Sequence, residues 1–397
     1  MPKSVEEVRA EIPFLRTGIR YLDSASTSLK PKPVIDAVLR YFTDFCVNVG
    51  RGVYRAAGAA TEAFESTREK IARVIGAKPH EIAYAKSTTE AINIIASGLG
   101  FKRGDKILVS RFEHHSNFLP WERLVRSRGV RMEVIGSSPD CVLYSSEFDA
   151  AMDEDTRLVA FHHISNAVGS VQPVKEIVEV ARERGALSLV DAAQSVGHIP
   201  VDVERIGCDF LVAPGHKGLM GPPGTGFLCV REGARVPEPL LTGGGVIKEG
   251  CADFEFVGFP QSLDAGTPNI PGIVGLGAGC EYVLSIGIEN IARHELQLVR
   301  KLLELREIDG VRVYGPPGAE SRGGIVSFNV RDLDPNAVAK MLDFRGFAVR
   351  SGHHCALPTM RHLGVKGTVR ASVGYYNTYD EVAEFVDAVR EIASSGR

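Results

Sequence analysis

Apolar runs of strand length recur at 81–85, 106–110, 158–163, 186–190, 210–213 and 226–230, and stretches such as 89–99 and 174–184 between them carry helical periodicity. Few topologies satisfy that alternation. Strands separated by a helix lie parallel, and a parallel sheet is covered on both faces because its runs are apolar on both. Gly185 stands where the helix 174–184 needs a C-terminal cap. Beyond about 271 the texture changes to helical stretches at 274–286 and 288–305, strand-like runs at 311–314, 325–330, 347–350 and 368–373, a helix near 335–344 and a last helix from Tyr379. The expected architecture is α/β. A large domain over 21–270 with a mostly parallel sheet is joined to a smaller α+β domain over 271–397, against which residues 1–20 pack. A length of 397 residues leaves room for both.

Charge and cysteine content narrow the ligands. A formal net charge of −3 with scattered Lys and Arg offers no basic field to nucleic acid or an anionic membrane. Hydrophobic residues at 44% and charged residues at 24% exclude a disordered or fibrous chain. The seven cysteines, at 46, 141, 208, 229, 251, 280 and 355, contain no CxxC pair and are odd in number. That pattern favours reduced thiols over a disulfide framework or a zinc ribbon. The opening MPKSVEEVRAEIPFL is unlike a signal or transit peptide, and no stretch reaches the roughly 18–20 apolar residues of a membrane span. A cytoplasmic protein with a small-molecule ligand is expected.

Ligands of open parallel sheets bind beyond the carboxyl ends of the strands, so polar residues directly after apolar runs come first. Asp191 ends one run, and Lys217 follows another through Pro214-Gly215-His216. On one rim the two can hold opposite ends of pyridoxal phosphate, the carboxylate keeping the pyridine nitrogen protonated and the lysine condensing with the aldehyde. Taken singly, each is equally well a capping aspartate or a solvated lysine. Ser87-Thr88-Thr89-Glu90, between a strand and a helix, offers backbone N–H groups to a phosphate, and it equally satisfies an ordinary capping box. Gly221-Pro-Pro-Gly-Thr-Gly226 begins like a phosphate loop, but Phe227 and Leu228 stand where Lys and Ser/Thr are required. The histidine pairs 114/115, 162/163 and 353/354 lack metal-ligand spacing, so no metal site is expected.

Glu113-His-His-Ser-Asn117, Asp191-Ala-Ala-Gln194, Gly215-His-Lys217, Ala265-Gly-Thr-Pro-Asn269 and Arg350-Ser-Gly-His-His-Cys355 occur in order within a stretch from about Tyr21 to Asp380. Together they resemble the SufS-like cysteine desulfurases, class V aminotransferase-type enzymes of the pyridoxal-phosphate fold type I. The resemblance implies a seven-stranded sheet in the large domain. It also implies that Lys217 carries the cofactor, Asp191 meets the pyridine nitrogen, Gln194 reaches the ring hydroxyl, and His114 stacks on the ring and moves protons. Thr88, Thr89 and His216, with Thr267 from the opposite subunit of a homodimer, would hold the phosphate. Asn166, placed against both cofactor and substrate, and Arg370 would meet the carboxylate of L-cysteine, with Arg350 nearby. Cys355 would take the sulfur as a persulfide, leaving L-alanine, and pass it to an acceptor or scaffold protein for iron-sulfur cluster assembly or another sulfur-transfer route. Selenocysteine is the nearest alternative substrate, and another reaction of the same cofactor group the next alternative.

The chain departs from that group at three points. Pro214 replaces a serine three residues before the lysine, Gly50 replaces a histidine before Arg51-Gly52, and Gly218 is an additional residue after the lysine. Proline has neither hydroxyl nor backbone N–H, so one phosphate contact is lost or replaced.

Overall fold

The computed structural model describes residues 3–248 and 255–395, so Cys251 and the first and last two residues lie outside the described residues. Seven strands form the larger sheet: β1 (Ile82–Ala85), β2 (Lys106–Ser110), β3 (Arg131–Ile135), β4 (Thr156–His162), β5 (Leu187–Asp191), β6 (Phe210–Pro214) and β7 (Gly226–Val230). Their spatial order is β1-β7-β6-β5-β4-β2-β3. The sheet is parallel from β6 through β3, and β7 runs antiparallel to both of its neighbours. The mostly parallel α/β sheet expected from the alternation is therefore present. Six strands coincide with apolar runs. The seventh, β3, lies at the edge, where exposed and half-buried residues alternate along Arg-Met-Glu-Val-Ile, so no continuous apolar run announces it.

Strand periodicity divides the core into two layers. Val159, Phe161, Val190 and Leu211 face one layer, and their neighbours Leu158, Ala160, Leu189 and Phe210 face the other. Each large apolar side chain contributes about 1.5–3 kcal/mol through burial. Successive strands therefore hold their register, since a one-residue slip would exchange the layers. With the register fixed, the carboxyl ends of β2, β4, β5 and β6 are aligned along one rim.

Four antiparallel strands form the second sheet in the order β10-β11-β9-β8, with β8 (Val311–Tyr314), β9 (Ile325–Val330), β10 (Arg350–Gly352) and β11 (Thr368–Ser372). The run 347–350, read as one strand, is divided between two pairings. Phe347–Ala348 pairs in parallel with Arg20–Tyr21, and Arg350–Gly352 pairs with β11 in a register that sets Arg350 opposite Arg370.

A separate core under this sheet includes Val326, Phe328, Val369 and Phe385. The helix Ile270–Ile286 belongs to the first core instead, so that core extends past residue 270. Its glycines allow the close approach, because a Cβ on Gly275 would strike Val38 and Pro222 and one on Gly277 would strike Thr67. Near the amino terminus, Val8 and Ile12 enter the first core, while Arg9 donates to the Tyr376 carbonyl and to Glu381 of the last helix. Among the described residues no single helix is long and apolar enough to cross a membrane.

Candidate active site

A cavity of about 530 Å³ opens beyond the carboxyl ends of the strands. Its wall contains Thr88, Thr89, His114, Asn166, Asp191, Gln194, His216, Lys217, Arg350, Cys355 and Arg370, which the fold collects from segments far apart in sequence. Thr267 is absent from this wall. It is exposed and lines a separate cleft of about 130 Å³ with Lys86, Glu90 and Leu240.

Asp191 is the last residue of β5, and Ala193 N donates to its Oδ1 at 2.9 Å. Burial pushes the Asp191 carboxyl up to about 6, with the Glu113 carboxylate adding to the rise and the Ala193 amide and Lys217 opposing it. A cation brought to this carboxylate would favour its ionised form. Lys217 stands on the turn after β6, where burial pulls its ammonium down to about 8 against the attraction of Asp191. A lowered pKa makes the free amine more accessible near neutrality, as condensation with an aldehyde requires.

The two turns that carry these residues touch through glycine. A Cβ on Gly197 would run into Gly218, and one on Gly218 would run into the Val196 carbonyl and the His198 ring. The additional residue after the lysine thus occupies a place where a side chain has no room.

His114 follows β2. Its Nδ1 accepts from Ser116 N at 3.1 Å, which assigns the ring proton to Nε2, and Ser116 Oγ lies 2.9 Å from the same nitrogen. Burial, then the charges of Lys217, His115 and Arg370, pull its pKa down to about 3 and keep the imidazole neutral. Thr89 Oγ1 is 2.6 Å from Ser116 Oγ, joining the ring to the start of the helix Thr88–Gly98. Ser87 caps that helix by accepting Glu90 N at 3.2 Å. The reciprocal half of the expected capping box is displaced by one residue, because the Glu90 carboxylate accepts from Lys86 N.

Gln194 Nε2 donates to the Ala25 carbonyl at 2.9 Å, and Asn166 Nδ2 to the His354 carbonyl at 2.7 Å. The Arg350 guanidinium is engaged with both oxygens of Asp23 at 2.8–3.2 Å. Arg370 donates to Asn166 O at 2.8 Å and to Ser26 Oγ at 2.9 Å. Burial pulls the His216 imidazole down to about 4, helped by Lys217 and Lys30, while its carbonyl accepts from Lys30 Nζ at 2.9 Å. Cys355 is exposed, and both it and His354 have left-handed backbone angles, φ 53° and 50°. Such conformations cost roughly 1–3 kcal/mol each for residues other than glycine, so the surroundings must hold them. Cys141, Cys208 and Cys280 are buried, and burial pushes each thiol up to about 12.

Two orphaned atoms test whether pyridoxal phosphate fits. Thr88 Oγ1 and Arg370 Nε are buried without a hydrogen-bond partner, a loss of roughly 1–3 kcal/mol each unless a ligand supplies one. The first lies at a helix start suited to phosphate, the second beside Asn166 where a carboxylate can dock, and Asp191 and Lys217 stand in the same cavity. The cofactor fits this donor set.

Sequence reasoning did not single out Asp23, Ser26 or His162. The first two adjoin the short strand Arg20–Tyr21, too brief to register as a run, and partner arginines more than 300 residues away. His162 lines the cavity and is paired to buried Glu113, with His162 Nδ1 to Glu113 Oε1 at 2.5 Å and Nε2 to Gln172 Nε2 at 3.0 Å. Its sequence signals are its place in the apolar run 158–163 and its membership of the pair 162/163, which is read only for metal-ligand spacing.

The class-V aminotransferase profile matches residues 20–385. The chain is 48% identical to a probable cysteine desulfurase of Methanothermobacter thermautotrophicus, with 98% of each chain covered. A solved apo structure of a cysteine desulfurase from Thermococcus onnurineus superposes with a TM-score of 0.95 at 43% identity, covering 100% of this chain and 99% of that one. The Escherichia coli cysteine desulfurase CsdA gives 0.90 at 30% identity, with 99% of each covered.

Proposed function

The chain belongs to the class-V aminotransferase family, and we propose that it is a cysteine desulfurase that moves sulfur from L-cysteine to Cys355 and releases L-alanine. Its cofactor is pyridoxal phosphate. One observation carries the proposal: Cys355, an exposed thiol, opens into the same cavity as Lys217, Asp191 and Arg370. A transaminase needs the other three and has no use for the thiol.

Bound pyridoxal phosphate supplies an electron sink that makes the substrate's α-proton acidic and its carbon–sulfur bond labile. Lys217 would hold the cofactor and Asp191 would pair with its pyridine nitrogen, while His114, with its proton on Nε2, would lie against the ring and move protons. Thr88, Thr89 and His216 hold the phosphate. The unpartnered Thr88 hydroxyl would offer the phosphate a donor, which Pro214 cannot. Gln194 would meet the ring hydroxyl, Asn166 would contact both cofactor and substrate, and Arg370 Nε would take the substrate carboxylate, with the Arg350–Asp23 pair beside it. Cys355 Sγ, as thiolate, attacks the substrate sulfur, and the sulfur–sulfur bond forms as the carbon–sulfur bond breaks. The carbon keeps that electron pair and takes up a proton to leave as alanine, and the persulfide remains on the enzyme.

The protein works as a homodimer in which exposed Thr267 reaches the neighbour's phosphate. The persulfide passes to an acceptor or scaffold protein for iron–sulfur assembly, and a thiol chemistry of this kind suits the reduced cytoplasm. The test is incubation of holoenzyme with L-cysteine and a thiol reductant, measuring alanine and sulfide together. Equal amounts are expected, and Cys355→Ala should abolish both while retaining the cofactor's visible absorbance. Wild-type alanine output from Cys355→Ala would rule out the persulfide route.

A further inference from the structure

Two histidines without an assigned role enclose Cys355. The His115 amide donates to the Cys355 carbonyl at 2.7 Å, and the His115 ring accepts through Nε2 from Leu357 N at 3.2 Å. His353 Nδ1 accepts from Cys355 N at 3.0 Å, and its ring stacks on His115 with centroids 5.8 Å apart and planes inclined by 30°. The preceding carbonyl, of His354, is taken by Asn166 Nδ2. Both backbone polar groups of Cys355 are therefore engaged, although the residue is exposed and lies in the left-handed region. An exposed segment in that conformation relaxes unless contacts fix it. Each ring uses a nitrogen as an acceptor toward a backbone N–H, so each acts with that nitrogen unprotonated. Burial and the neighbouring His353 hold the His115 imidazolium down, in keeping with that role.

We propose that His115 and His353 are positioning residues, a stacked pair that fixes the Cys355 backbone so that its thiol is presented at the cavity mouth for sulfur transfer. His115 adjoins His114 on the segment after β2, whereas Cys355 follows β10 of the other sheet. One short segment thus sets both the ring-covering imidazole and the nucleophile. Misplacement of either by about 1 Å costs on the order of 10²-fold in rate, so the link between them has kinetic weight. The link to sulfur transfer rests on the desulfurase proposal; the clamp on the loop does not.

The experiment combines amide hydrogen–deuterium exchange of residues 353–357 in holoenzyme with steady-state alanine formation from L-cysteine. In His115→Ala, exchange at Leu357 should quicken and kcat should fall by about tenfold to a hundredfold, with KM within about twofold and the cofactor's absorbance kept. His115→Gln, whose amide oxygen can still accept from Leu357 N, should recover part of both. His353→Ala, at an exposed position that tolerates truncation, should quicken exchange at Cys355 and lower kcat in the same way. Unchanged exchange in both alanine variants would overturn the proposal, as would a loss of cofactor absorbance or a KM rise matching the kcat fall. Should the wild type make no alanine from L-cysteine, the desulfurase proposal fails, while exchange still decides whether the two rings hold the loop.

Discussion

Arg370 is held on one side only. Nη1 and Nη2 are committed to Asn166 and Ser26, a longer contact reaches Asp23 at 3.4 Å, and Nε is buried and free. A planar guanidinium held at both terminal nitrogens keeps its Nε–H in a fixed direction, which a lysine cannot imitate. Arg370→Lys should therefore bind L-cysteine more weakly by about 1.5–3 kcal/mol, roughly 10- to 150-fold in KM, with the cofactor spectrum unaltered. An unchanged KM would remove Arg370 from the carboxylate site. The arginine was legible in the sequence as a polar residue on a strand. Asp23, which helps to hold it, was not, because 347 residues separate the two and the folded chain, through contacts such as the bridge between Asp23 and Ser372, brings them together.

Among the elements, the turns after β5 and β6 carry the most chemistry, and they depend on two glycines meeting face to face. Gly197 has φ 84°, a conformation that a side chain strains, and Gly218 is closed in by the Val196 carbonyl and the His198 ring. Gly218→Val should cost about 1–3 kcal/mol of stability through overpacking, and it should weaken cofactor retention because Lys217 is the adjacent residue. Thermal unfolding and a cofactor titration would measure the two effects. Normal values of both would show that the turns do not need this approach. The loop between β10 and the helix Leu357–His362 differs in kind, since hydrogen bonds from other segments rather than close packing hold its angles.

At the scale of the molecule, the helix Ile288–Leu302 joins the two cores, with Ile288 and Ile291 in one and Leu298, Val299 and Leu302 in the other. Between these groups Glu295 meets His198, Nδ1 lying 2.9 and 3.0 Å from the carboxylate oxygens, and both residues are buried. Burial alone would lower the His198 pKa, but the charge and hydrogen bonding of Glu295 outweigh it and the net shift is upward from 6.5. A raised imidazole pKa stabilises the folded state fully below the unfolded value, and that stability is lost as pH rises through the folded value. Glu295→Gln should accordingly be less stable than wild type by roughly 1–3 kcal/mol below pH 6.5, with the gap narrowing as the pH is raised. Denaturant unfolding across pH 5.5–9 would show it, and a gap independent of pH would exclude the linkage.

Taken alone, the amino-acid sequence determined the parallel sheet, the rim on which Asp191 and Lys217 stand, and the motif order that marks the family. These depend on local information: apolar periodicity sets strands and layers, and strand ends set the rim. It could not show the edge strand β3, whose one-sided burial leaves no continuous run, or the division of 347–350 between two sheets, where each half pairs with a different distant strand. Nor could it show that the helix Ile270–Ile286 packs into the first core, because an all-round apolar helix does not state which neighbour it will bury against. The Asp23–Arg370 contact, the buried Glu113–His162 pair and the stacked histidines around Cys355 arise only when remote segments converge. Their physical reason is tertiary: a buried donor, acceptor or charge takes whichever partner the finished packing brings within reach.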